Sequence, residues 1–239
     1  MKIMFIRHGE PDYPVDNLTD KGKKEAELLC KRFLQSCEID DVYCSPLGRA
    51  IATAKPYLEA TGKTAIVKRW LQEFNAKVWN EKNGGGYNIP WDFYPADWTG
   101  DELLFDKYKW TTSPLMNQSV VDAYADVCKG IDELLSSYGY NRSGNMYLSD
   151  EKDKDKTIVI FCHLGAQFAI LSHLLGISAV LLWHGFFVAP TSITTLVAEE
   201  RNKGEAYFRV TSLGDTCHLY VADEPISHRG LHEYPPVKL

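Results

Sequence analysis

The sequence predicts an α/β fold, a three-layer α/β/α sandwich on a mainly parallel central sheet, and three observations carry this. Two short, almost wholly apolar runs, KIMFI at 2–6 and TIVIFC at 157–162, have the composition of strands covered on both faces. Other segments repeat apolar residues every three or four positions, as helices lying on a sheet do. The two patterns alternate, and that order suits parallel strands joined by helical crossovers.

The elements follow in chain order. The first run ends directly in Arg7-His8-Gly9-Glu10. After a loop rich in Pro and Asp, Ala26, Leu29, Cys30, Phe33, Leu34 and Cys37 form one stripe and predict a first helix. A brief strand near Val42–Cys44 leads into Ser45-Pro46, read as the N-cap and first residue of a second helix. That helix runs to about Ala60 with Leu47, Ala50, Ile51, Ala54 and Leu58 inward, and Gly62 stops it. A third strand is expected near Ala65–Val67. Further on, Val120, Tyr124, Val127, Cys128, Ile131, Leu134, Leu135 and Tyr138 mark a helix closed by Gly139. The TIVIFC strand follows, then a helix through Phe168, Ile170, Leu171 and Leu174 to Gly176. SITTLVAEE (192–200) and YFRVTSL (207–213) read as a late pair of β segments about Gly204.

Residues 70 to about 116 break the pattern. They hold Trp70, Trp79, Trp91, Trp98 and Trp110 and the run Gly84-Gly85-Gly86, with no sustained period of 2 or 3.6. A long irregular segment inside a compact domain is functional or disordered, and one this aromatic is too apolar for disorder. It reads as an ordered lid inserted into a single domain spanning 1–239. Glu10, Tyr13, Trp79, Tyr94, Trp183 and His184 are candidate walls for a substrate. Aromatics that only pack the lid onto the sheet would give the same composition.

Composition narrows the function. A net charge of −6 argues against non-specific nucleic-acid binding, which needs excess Lys and Arg. No stretch approaches the roughly 18 apolar residues of a membrane span, and the N-terminal apolar run is too short for a signal peptide. Six scattered cysteines without a CxxC pair are expected to be reduced thiols in a cytoplasmic protein, with no structural zinc. Nothing in the sequence specifies an oligomeric state.

In open α/β sheets the ligand crevice lies beyond the carboxyl ends of the strands. Arg7 and His8 follow the first strand, Ser45 to Arg49 the second, and Cys162-His163 end the TIVIF run. Three strand ends therefore offer two histidines and two arginines to one rim, where helix N-termini add backbone N–H groups. Such a rim suits a phosphoryl dianion, because guanidinium forks pair with its oxygens. Competing motifs fail on spacing. CSPLGR has four residues between Cys44 and Arg49 where a cysteine phosphatase loop needs five, and TGKT at 61–64 lies between a helix and a strand.

Arg7-His8-Gly9-Glu10 after a first strand resembles the signature of the histidine phosphatase superfamily, the phosphoglycerate mutase-like proteins. LTDKG (18–22), Ser45-Pro46-Leu47-Gly48-Arg49-Ala50 with Thr53 and Ala54, Leu71-Gln72-Glu73 and the CHLG around His163 resemble its other motifs in the same order. GDTCHL near the C-terminus is similar to a late family segment. The resemblance implies that His8 is a nucleophile forming a phosphohistidine. Arg7, Arg49, His163 and the backbone at Leu164 would hold phosphate, and Glu73 would be the general acid and base, with Glu10 the competing acid. Catalysis would need no metal and no cofactor, since Arg and His supply the charge. The chain departs from the sugar-phosphate mutases in lacking an ERHYG-like segment. It departs from the secreted acid phosphatases in lacking RHGxRxP. The expectation is hydrolysis of a small phosphorylated substrate. A phosphomutase or phosphotransfer enzyme of the same fold, and a non-catalytic phospho-ligand binder, are the alternatives.

Overall fold

The computed structural model describes residues 1–36, 38–80, 85–150 and 152–231. The apolar run at the N-terminus becomes β1 (Lys2–Arg7), whose side chains alternate between two buried clusters: Ile3 and Phe5 on one face, Met4 and Ile6 on the other. A strand apolar on both faces must lie inside a sheet. β1 is flanked on one side by β6 (Thr157–Cys162), β2 (Asp41–Cys44) and β3 (Ala65–Val67), all parallel. This half of the sheet is the expected parallel one. On the other side β7 (Ile193–Asn202), β8 (Glu205–Asp215), β5 (Met146–Ser149) and β4 (Tyr140–Ser143) extend it with antiparallel pairings. The late β pair is thus the β7–β8 hairpin. The β4–β5 hairpin is new: Tyr140 and Tyr147 are its buried residues, too few to write a period into the sequence.

Helices cover both faces. α1 (Asp20–Ser36) and α2 (Gly48–Thr61) pack Leu29, Phe33, Ala50 and Ala54 against Ile6 and Phe161. α3 (Gln118–Ser137), α4 (Leu164–Leu175) and α5 (Ala179–Gly185) pack on the opposite face with Ile3, Phe5 and Ile160. Each fully buried Phe or Ile in these layers stabilises the fold by about 1.5–3 kcal/mol. A short helix, α6 (Cys217–Tyr220), follows β8.

Several local expectations need correction. Leu34 is exposed, because the buried face of α1 is narrower than the stripe, and Cys37 lies outside the described residues. Ile51 is likewise exposed, and Tyr57 takes the buried position on α2. α2 begins at Gly48 with Leu47 as its cap residue, not at Ser45-Pro46. The Ser45 hydroxyl lies instead 2.8 Å from the imidazole of His163. Gly62 ends the helix in the left-handed conformation, as expected.

The aromatic segment 70–116 is ordered where it is described. It holds a hairpin of Val78–Asn80 with Gly86–Asn88, a single helical turn at Pro95–Trp98 and several 3-10 turns. Gly84 lies outside the described residues. Leu71, Phe74, Val78, Leu104 and Trp110 from this segment enter the core beside α3, α4 and α5. Among the described residues no helix is long and apolar enough to cross a membrane.

Candidate active site

Strand register decides where the polar side chains collect. Arg7 stands beside Cys162, and Phe161 beside Cys44, so His8, His163 and Ser45 leave the sheet side by side. His8 N donates to Cys162 O at 3.0 Å, and Ser45 N donates to Phe161 O at 2.9 Å. The His8 and His163 ring centroids are 5.1 Å apart.

The His8 ring is buried, with Nδ1 2.8 Å from Gly9 O. A carbonyl oxygen only accepts, so Nδ1 carries the proton and Nε2 keeps its lone pair. Burial, followed by the positive charges of Arg7 and Arg49, holds the imidazole well below its usual pKa of 6.5. The loop that carries it is fixed from three sides. Gly9 N donates to Thr53 Oγ1 at 2.9 Å, Thr191 N to Arg7 O at 2.9 Å, and Glu10 N to Glu25 Oε2 at 2.8 Å. A Cβ on Gly22 would stand 2.3 Å from Glu10 O, which gives the glycine of LTDKG its physical reason.

The two arginines are anchored at their tips. Arg7 donates through Nη1 to Val188 O and through Nη2 to Arg229 O, each at 2.7 Å, and its Cζ lies 5.3 Å from the Phe187 ring centroid. Arg49 Nη1 donates to Asp16 Oδ1 at 2.6 Å, while Asp16 Oδ2 accepts from Gly48 N at 2.6 Å. Ser45 Oγ accepts from Leu47 N at 3.2 Å and lies 2.8 Å from His163 Nε2; with the hydroxyl proton given to Nε2, the His163 ring proton sits on Nδ1. Burial, then His8, Arg49 and Arg7, hold His163 well below 6.5 as well. Arg7 Nε, Arg49 Nε and His163 Nδ1 are buried and have no partner in the protein. Orphaned buried polar atoms are rare, and three donors around one neutral imidazole make a cradle for an acceptor-rich anion.

Glu73 approaches from the start of the aromatic segment. Its Oε1 accepts from Phe74 N at 2.9 Å and from Ala166 N at 3.1 Å, at the N-terminus of α4. Burial raises its pKa above 4.5, against the opposing pull of the Phe74 backbone amide, Arg7 and Arg49. Glu10 is occupied elsewhere: Oε1 accepts from Thr19 Oγ1 at 2.9 Å and Oε2 from Ser227 Oγ at 2.7 Å. It clasps the C-terminal segment rather than facing His8.

The aromatic candidates divide. Tyr13 lies over the rim, with Arg49 Cζ 5.6 Å and Arg229 Cζ 6.0 Å from its ring centroid. Trp183 is a buried packing residue whose Nε1 donates to Gly165 O at 2.9 Å, and His184 Nε2 bonds Pro90 O at 3.0 Å. Both also line a cavity of about 370 Å³ with Trp91, Leu164, Phe187 and Leu231. Trp79 and Tyr94 do not join them. Trp79 packs edge-on against Tyr87 on the exposed face of the small hairpin, and Tyr94 is exposed before the Pro95–Trp98 turn. A larger groove of about 560 Å³ between α1 and α2 contains none of the candidate side chains.

Sequence reasoning missed the segment that closes the site. Lys21 and Lys24 each hold Glu224 at 2.6 Å, Ser227 holds Glu10, and the backbone at Arg229 caps Arg7. It also missed His218, whose Nε2 is 3.2 Å from Thr191 Oγ1 beneath the Arg7–His8 backbone. GDTCHL was the signal that could have found it. Among the described residues no group of three or more His, Cys, Asp or Glu converges as a metal site would require.

Comparison with known proteins bears on the family and the fold. Residues 3–137 match the model of the histidine phosphatase superfamily (branch 1). A protein of Schizosaccharomyces pombe named probable phosphatase C1687.21 is 24% identical over 233 residues, covering 92% of this chain and 95% of the relative. Phosphoserine phosphatase 1 of Hydrogenobacter thermophilus is 25% identical over 229 residues, covering 92% and 94%. Among solved structures, a mycobacterial glucosyl-3-phosphoglycerate phosphatase superposes with a TM-score of 0.61 at 21% identity, covering 90% of this chain and 99% of the other. Phosphoserine phosphatase of Entamoeba histolytica with 3-phosphoglyceric acid gives 0.57 at 22%, covering 91% and 98%. At those identities the superpositions establish the shared fold. The family match, running over more than half of the sequence, carries the assignment: this chain belongs to the histidine phosphatase superfamily, branch 1, and is a phosphatase.

Proposed function

We propose that this phosphatase hydrolyses a small phosphomonoester through a phosphohistidine on His8 Nε2. The observation that carries the reading is the cradle: a neutral imidazole with its lone pair on Nε2, flanked by Arg7 Nε, Arg49 Nε and His163 Nδ1 without protein partners. In the first step Nε2 attacks phosphorus in line, the P–N bond forms, and the ester P–O bond breaks. Glu73 gives its proton to the departing oxygen, a task suited to a carboxyl group whose pKa burial has raised. In the second step Glu73 takes a proton from water, water oxygen attacks phosphorus, and the P–N bond breaks to release phosphate. Arg7, Arg49 and His163 stabilise the charge spread over the equatorial oxygens without reorganising. They supply what a metal ion supplies in other phosphoryl-transfer sites, so the mechanism needs none. The backbone N–H groups at Leu164 add the positive end of α4. Residues 70–116 act as the lid of the same domain, and the buried thiols Cys30, Cys44 and Cys162 suit a reducing, cytoplasmic setting.

Phosphate release from a panel of aryl phosphates, sugar phosphates, nucleotides and phosphoserine, with chelator present, tests the reading in wild type and His8→Ala. Wild-type release that His8→Ala abolishes, with an acid-labile phosphoenzyme on wild type alone, is the expected result. Equal release by both proteins removes His8 as nucleophile. Phosphate recovered on an acceptor other than water marks a phosphotransferase instead.

A further inference from the structure

We infer that the cavity beside Arg7 and Glu73 receives the alcohol part of the substrate, and that this alcohol is neutral, planar and apolar: an aryl or arylmethyl phosphomonoester. The inference rests on the phosphatase reading above and adds the substrate class.

Location comes first. The proton donor must stand where the departing oxygen leaves phosphorus. A Cβ built on Gly165 would lie 2.6 Å from Glu73 Oε1 and 2.8 Å from Trp91 Nε1, so the carboxyl group and the Trp91 indole flank one point. Trp91 lines the cavity, and so does Leu164, the residue after His163. The opposite side is closed by Phe187, under the Arg7 guanidinium, and by Gly230, where a Cβ would meet Arg7 Nη2 at 2.9 Å. The cavity therefore begins where the phosphate cradle ends, on the side of Glu73.

Chemistry comes second. Trp91, Phe93, Trp183, Phe186 and Phe187 present rings to the space, and Leu231 completes it. Its volume, about 370 Å³, is at the small end of ligand pockets and suits one substituted ring or a fused pair. Flat apolar faces reward a flat apolar guest by offset or edge-to-face packing. Charge comes third. Among the described residues lining the cavity none is Lys or Arg; the polar ones are Asp92 and His184. His184 Nε2 is committed to Pro90 O, and burial lowers its pKa, which keeps the ring neutral. Both Nη atoms of Arg7 already donate to main-chain carbonyls. A carboxylate on the alcohol would lose its hydration there and meet no Lys or Arg side chain in the described lining, while the nearest guanidinium, Arg7, is already bonded to two main-chain carbonyls.

The test compares kcat/KM for benzyl phosphate with that for phosphoserine, two alkyl esters of similar intrinsic reactivity, in wild type, Phe186→Lys and His8→Ala. Wild type is expected to prefer benzyl phosphate by about 100-fold. Phe186→Lys, which places a cation on the half-exposed rim, is expected to narrow that ratio at least tenfold, by loss on the aryl ester and gain on phosphoserine. A wild-type preference for phosphoserine, or a ratio that Phe186→Lys leaves unchanged, overturns the inference while His8-dependent release leaves the phosphatase reading standing. No His8-dependent release from either ester, nor from the wider panel, overturns both.

Discussion

Gly165→Ala displaces the proposed acid without removing any catalytic side chain. The added Cβ would stand 2.6 Å from Glu73 Oε1 and 2.8 Å from Trp91 Cδ1 and Nε1, where ordinary contact begins at 3.4 Å. The carboxylate is the nearer of the two, and the Trp91 indole is fixed by its short Nε1–H bond to Phe74 O at 2.6 Å, so Glu73 must yield at the cost of its bonds from Phe74 N and Ala166 N. It must retreat by about 0.8 Å, and displacement on the scale of 1 Å costs on the order of 10²-fold in rate, or about 2.7 kcal/mol of barrier. Because the acid protonates the departing oxygen, the loss must depend on that oxygen's basicity. An alkyl ester such as benzyl phosphate is expected to lose about 100-fold in kcat/KM. p-Nitrophenyl phosphate, whose phenolate leaves without a proton, is expected to lose less than about fivefold. Ala also favours the helix over Gly by about 0.5–1 kcal/mol, which offsets part of the crowding, so Tm should stay near wild type. Steady-state rates on both esters, with Tm as control, decide the matter. Equal losses on the two esters at an unchanged Tm would refute Glu73 as the proton donor.

The pH profile follows from the two shifts. His8 must be neutral and Glu73 protonated; burial lowers the first pKa below 6.5 and raises the second above 4.5, so kcat/KM should fall on both sides of a maximum, and Glu73→Gln should remove the alkaline fall. Glu25, buried with Oε2 on Glu10 N, has its pKa raised from 4.5 to about 7, chiefly by burial. A raised carboxyl stabilises the fold below pH 4.5, and that contribution disappears as pH rises through about 7. Glu25→Gln keeps the acceptor without the charge and should raise Tm at pH 8 by several degrees, with little change at pH 4.5. A variant equally shifted at both pH values would place the effect in packing. His218 is lowered to about 4, again chiefly by burial, so its contribution is present above 6.5 and lost as pH falls toward 4. His218→Asn should flatten the dependence of Tm on pH between those limits, and an unchanged slope would count against the assignment.

The sequence by itself determined the strands that are apolar on both faces and the titratable residues placed at their ends. Ile3 to Ile6 and Ile158 to Cys162 can be satisfied only inside a sheet, and no local alternative leaves Arg7-His8 and His163 anywhere but its carboxyl edge. Glu73 and the glycine of LTDKG are marked only by the resemblance of their segments to family motifs, while Arg49 also stands out for its place one turn after a strand end. Only the tertiary structure decided what those residues touch. The Ser45 hydroxyl serves His163 rather than capping α2, since the helix starts three residues later. Glu10 is held by Thr19 and Ser227, a partner 217 positions away that no local pattern could announce. The segment from Glu224 to Leu231, the support of Thr191 by His218, and the division of the aromatics between core, exposed hairpin and cavity are likewise long-range outcomes. Periodicity reports which face of an element is apolar. It carries no record of which distant backbone carbonyl will meet a buried guanidinium, and that meeting leaves Arg7 Nε without a protein partner.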